Sequence, residues 1–104
     1  MIIDQLKSKL IEYSKAKDTL RLGVLRYFLS KVQEKAIELR PSGEVITDDI
    51  AFKIIRKQIK ERNQSIELYE KGNRADLVEK ETNELQILKE FAKLFPFELD
   101  LPTR

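Results

Sequence analysis

The stretch TDDIAFKIIRKQIKERNQSIELYEKG, residues 47–72, decides the fold class. Within it Ala51, Phe52, Ile55, Ile59, Ile66 and Tyr69 share one arc when residues are placed at 100° steps. That arc predicts the core side of a long helix. Thr47 has a side-chain oxygen suited to capping the helix start, and Asp48 and Asp49 follow where the helix dipole favours carboxylates. Gly72 suits a left-handed C-terminal cap, since it has no Cβ to clash. Upstream, Leu22, Leu25, Phe28, Leu29, Val32, Ala36 and Leu39 form a second helical stripe over about 19–40. A weaker segment at about 4–15 carries Leu6, Leu10 and Ile11. Downstream, Asn73 and Asp76 read as the start of a fourth helix that reaches about Phe95, before Pro96.

Breaks are few and well placed: Pro41-Ser42-Gly43, then Lys71-Gly72-Asn73. Glu44-Val45-Ile46-Thr47 is too short to read as a strand. Short connections favour antiparallel neighbours. The expectation is an all-α protein: an antiparallel helical bundle of one short and three long helices. The bundle occupies residues 1–95, and an extended C-terminal tail occupies 96–104.

The chain has 104 residues, one domain's worth, with 20 Lys and Arg against 18 Asp and Glu. Abundant aliphatic residues and a net charge of only +2 exclude a disordered chain. There is no Cys, no His and no Trp. Disulfides, thiolate metal sites, thiol nucleophiles and histidine bases are thereby excluded. No catalytic residue, cofactor or metal site is expected. No apolar run approaches the ~20 residues that cross a bilayer, and residues 1–7 lack a basic start or cleavage site. These features predict a cytoplasmic protein with no membrane contact.

Charge is unevenly spread. Opposite the apolar arc of the third helix stand Lys53, Arg56, Lys57 and Lys60, with no acid on that stripe. Such a stripe can track phosphates by releasing their counterions, although a solvated helix face has the same pattern. The fourth helix and tail are acidic by contrast. Other charges fall inside apolar arcs: Arg21 on the second helix, Arg62 on the third, Glu81 and Glu84 on the fourth. Burying any of these alone would be costly, so the four are expected to form one inter-helix network, with Gln58 or Ser65 as further partners. The network could fix helix register, or its carboxylates could do acid–base work. No nucleophile or oxyanion feature accompanies them. Tyr27, on the exposed side near Lys31, could stack on a base or a partner protein.

Several segments resemble the YqeY family. They are Ala16-Lys17-Asp18-Thr19-Leu20-Arg21-Leu22 with Val24-Leu25-Arg26, then Ile59-Lys60-Glu61-Arg62-Asn63-Gln64-Ser65-Ile66. Tyr69 to Leu77, Lys80-Glu81 and Glu84-Leu85-Gln86-Ile87-Leu88 follow in order. The resemblance covers about residues 5–92 and belongs to the GatB/YqeY group. It implies a helical bundle followed by a small helical subdomain. It also implies the family label of carbon–nitrogen ligase with glutamine as amide donor, since the module forms the tRNA-engaging tail of the GatB amidotransferase subunit. The chemistry of that enzyme lies in other domains and another subunit. Relatives usually continue past the fourth long helix, so Phe97, Leu99 and Leu101 are expected to cover apolar surface here or to drive dimerisation.

The resulting expectation is a non-catalytic accessory module that contacts tRNA phosphates through Lys53, Arg56, Lys57 and Lys60, with Arg26 and Lys17 as outlying contacts. An amidotransferase or tRNA-synthetase component would be its protein partner. The rival is a protein–protein interaction or dimerisation module, a homodimer through the tail, that touches no RNA.

Overall fold

A computed structural model describes residues 1–99, in which four α-helices follow one another: α1 (Ile2–Lys15), α2 (Thr19–Leu39), α3 (Asp48–Lys71) and α4 (Ala75–Ala92). No strand forms among the described residues. The chain is an all-α bundle. Thr47 starts α3 by accepting the Ile50 N–H on Oγ1 at 3.2 Å. Asp18 does the same for α2, accepting the Arg21 N–H at 3.1 Å. α1 starts at Ile2, ahead of the expected residue 4, because Asp48 Oδ1 accepts the Ile2 N–H at 3.1 Å. One acid thus sits in the first turn of α3 and also caps α1.

The corners differ from expectation in one respect. Gly72 is not left-handed (φ −86°); the left-handed residue is Asn73 (φ 56°). The Arg74 N–H reaches Tyr69 O and the Asn73 N–H reaches Glu70 O, so the helix stops one residue later than glycine placement suggests. The α1–α2 corner repeats this pattern. Asp18 N–H donates to Tyr13 O, Lys17 N–H donates to Ser14 O, and Lys17 is left-handed (φ 56°). A 3₁₀ turn, Arg40–Ser42, follows α2 and ends at left-handed Gly43. α4 ends at Ala92 rather than at Phe95. The last turn tightens, with the Leu94 and Phe95 N–H groups bonding back three residues. Pro96 disfavours helical dihedrals at Phe95, which explains the earlier stop.

Phe28, Phe91, Leu6, Leu25, Ile55, Ile59 and Leu88 are fully buried and come from all four helices. Each contributes roughly 1.5–3 kcal/mol by leaving water. Ala51, Phe52 and Ile66 complete the α3 arc, whereas Tyr69, expected in the core, is only half-buried. α3 packs most extensively on α4. The far end of α4 meets the α1–α2 corner, with the Phe91 and Tyr13 rings 6.4 Å apart. Beyond α4, Phe95 is buried with its ring 5.6 Å from Phe52, and Phe97 lies 5.2 Å from the same ring. Leu99 packs against the core as well. Leu101, the other residue expected to cover apolar surface, lies outside the described residues. No helix among the described residues is long and apolar enough to cross a membrane.

Candidate functional site

The cations of α3 share one face because 53, 56, 57 and 60 differ by one or two helical turns. Lys53, Lys57 and Lys60 are exposed, while Arg56 is half-buried. The face is not free of acids as expected: Lys53 Nζ lies 3.4 Å from Asp49 Oδ2, one turn earlier. Lys57 and Lys60 form no ion pair among the described residues. Lys53 and Lys57 border a groove of about 600 Å³ between α2 and α3. Across it stand Lys31 and Lys35, whose charges are met by Glu34 at 3.4 Å and Glu38 at 3.2 Å. Lys31 also sits 5.4 Å above the Tyr27 ring, so this exposed aromatic already has a cationic neighbour. Arg26 lies on the exposed side of α2, and Lys17 forms the α1–α2 corner. The structure therefore gathers four of the six candidate contacts on α3, with Arg26 on α2 and Lys17 at the α1–α2 corner.

The expected four-charge network divides in two. Arg62 Nη1 donates to Glu84 Oε2 at 2.7 Å and to Glu81 Oε2 at 3.1 Å, clamping α3 to α4. These side chains are only 13%, 16% and 20% exposed for Arg62, Glu84 and Glu81 respectively. Arg21 does not join them. It bonds Glu90 Oε1 at 3.1 Å and Asp18 Oδ2 at 3.2 Å, with its side chain 38% exposed. Those two partners, Glu90 first, hold the guanidinium pKa above its ordinary value. The reason is topological: α4 carries Glu90 to the α1–α2 corner, whereas Glu81 and Glu84 stay beside the middle of α3. Gln58 also stays out of the network.

Gln58 is the polar residue whose role sequence reasoning missed. It is only 5% exposed, yet its Nε2 and Oε1 have no hydrogen-bond partner among the described residues. Leaving both ends of a buried amide unpaired costs about 1–3 kcal/mol per group. The one signal in the sequence is an amide beside Ile55 and Ile59 on the edge of an apolar arc. Gln58 lines a cleft of about 520 Å³ where α2, α3 and α4 meet. Glu61, Arg62, Glu81 and Glu84 line it too, with Gly23 on the α2 side. Each glutamate gives only its Oε2 to Arg62, which leaves the Oε1 atoms without a share in that clamp. Gly23 is exposed within α2, and a Cβ added there would meet nothing within 4 Å. Neither dihedral need nor packing asks for glycine at this position, although glycine costs a helix about 0.8–1 kcal/mol relative to alanine.

A family model described as Yqey-like protein matches residues 3–99. A protein of Schizosaccharomyces pombe, itself uncharacterized by name, is 33% identical over 86 residues, covering 83% of this chain and 68% of that protein. The Altered inheritance of mitochondria protein 41 of Kluyveromyces lactis is 34% identical over 94 residues, covering 90% of this chain and 50% of its own length. Its counterpart in Lachancea thermotolerans is likewise 34% identical, with 49% of its length covered. The chain thus spans about half the length of these two relatives. Both are named as mitochondrial proteins. Their naming contradicts the cytoplasmic placement expected from the N-terminal residues.

Proposed function

The chain belongs to the YqeY-like family, and from that premise we propose a non-catalytic helical module that contacts tRNA through its backbone phosphates. The observation that carries this reading is the single-sided run of Lys53, Arg56, Lys57 and Lys60 on α3, in which Lys57 and Lys60 are exposed and free of ion pairs among the described residues. Each phosphate neutralised there releases counterions and adds affinity without reading sequence. Arg26 and Lys17 serve as outlying contacts. Amide-transfer chemistry, which the family label suggests, is assigned to a partner such as an amidotransferase or tRNA-synthetase component. The test is charge reversal. Lys57→Glu with Lys60→Glu should weaken binding of labelled tRNA at least tenfold while circular dichroism stays helical. Undiminished binding by the folded variant would refute the reading.

A second reading has one observation in its favour. Phe97 remains 40% exposed although its ring packs on Phe52. A homodimer formed through this end would show a mass that rises with concentration and falls back with Phe97→Asp.

A further inference from the structure

The cleft between α2, α3 and α4 combines two features that lower stability without structural return. One is the Gln58 amide, buried and unpaired at both ends among the described residues. The other is Gly23, which leaves open space where a side chain would fit. They lie on different helices and line the same cleft. Buried polar groups are ordinarily satisfied, so an orphan amide beside unfilled space calls for a ligand that completes it. The charges lining the cleft specify the ligand's sign. Glu61, Glu81 and Glu84 outnumber Arg62, and the Oε1 atoms of the two clamped glutamates still accept.

We propose that this cleft binds a small organic cation carrying a hydrogen-bond acceptor next to its ammonium group, the arrangement found in an α-ammonium carbonyl compound. The ammonium donates to the Oε1 atoms of Glu81 and Glu84 and to Gln58 Oε1. The neighbouring carbonyl accepts from Gln58 Nε2. The absence of a side chain at Gly23 keeps the entrance open. Arg62 is a positioning residue: it holds both carboxylates in place and keeps the cleft from carrying their full negative charge. The site adjoins the α3 cations, since Gln58 and Glu61 also line the groove that Lys53 and Lys57 border, but it does not depend on RNA binding. A free amino-acid derivative and a polypeptide N-terminus offer the same group, and the probes below separate them.

The experiment follows the ¹H–¹⁵N resonances of the Gln58 side-chain amide and the Gly23 backbone during titration. The probes are glycinamide, acetamide, triglycine and N-acetyltriglycine. Glycinamide is expected to shift both resonances saturably in the millimolar range, and acetamide, which lacks the charge, is not. A lower dissociation constant for triglycine than for glycinamide would assign the site to a polypeptide N-terminus; equal or weaker binding would assign it to a free small molecule. Gln58→Leu and Gly23→Leu should each abolish the glycinamide shifts at the remaining reporter and raise the melting temperature by about 4 °C, because each removes a destabilising feature. The rise in melting temperature separates loss of a site from loss of fold. No saturable shift with any probe, saturable shifts of equal size with acetylated and free triglycine, or shifts retained in both leucine variants would overturn the proposal.

Discussion

Arg62 and Arg21 are both arginines that bridge helices, and their surroundings set very different consequences for removing them. Arg62 and its two glutamates are mostly shielded, so Arg62→Ala would strand two partly buried carboxylates. The expected loss is about 3 kcal/mol, read by urea denaturation. Arg21→Ala breaks contacts that are 38% and 50% exposed, and the expected loss is about 1 kcal/mol or less. Equal losses would refute the distinction. Tyr13 supplies a pH test. Burial pushes its phenol pKa above the ordinary 10.0, with Arg21 opposing and nearby acids adding. The folded state therefore keeps this proton longer than the unfolded state does. Its stabilising effect is complete below about pH 10 and fades as pH rises through the raised value. Tyr13→Phe should lose less stability than the native chain between neutral pH and that range. The Arg62 pairing was legible in sequence because charges inside apolar arcs demand partners. The Arg21 pairing was not, since Glu90 sits on an exposed edge and only the path of α4 brings it near.

Helix identity was legible wherever apolar spacing ran long, as from Ala51 to Ile66, because one period of 3.6 residues survives many substitutions. The ends were less so. The α1 start depends on Asp48, 46 residues away, which no local pattern reveals. Of the left-handed corner positions only the one after α2 went to a glycine, Gly43; the others went to Lys17 and to Asn73, next to Gly72. A lysine in that conformation carries steric cost from its Cβ, about 1 kcal/mol. Lys17→Gly should therefore raise stability by up to about 1 kcal/mol, measured by thermal melting; a lower melting temperature would contradict the geometry. At the opposite kind of terminus, Thr47→Ala should cost about 1 kcal/mol by removing the Ile50 cap. Lys17 thus has a defined place in the fold, apart from any role as an outlying RNA contact.

At the scale of the whole molecule the bundle is elongated, 46 × 32 × 24 Å, because α3 alone spans about 36 Å. Its cations from Lys53 to Lys60 extend about 10 Å along that axis, enough to meet neighbouring phosphates. The cation face was visible in the sequence as a stripe; the Gln58 cleft was not, since it exists only where three helices converge. The most direct test of the RNA-binding account is the salt dependence of tRNA affinity for the native chain and for the variant in which Lys53, Arg56, Lys57 and Lys60 become Ala. Four phosphate contacts predict a log–log slope of about −3 and roughly 60-fold weaker binding at 200 than at 50 mM salt. The variant should bind weakly, with a slope about 3 units shallower that retains only what Arg26 and Lys17 contribute. A native slope near zero, or a variant that keeps the native slope, would contradict the assignment of tRNA binding to α3.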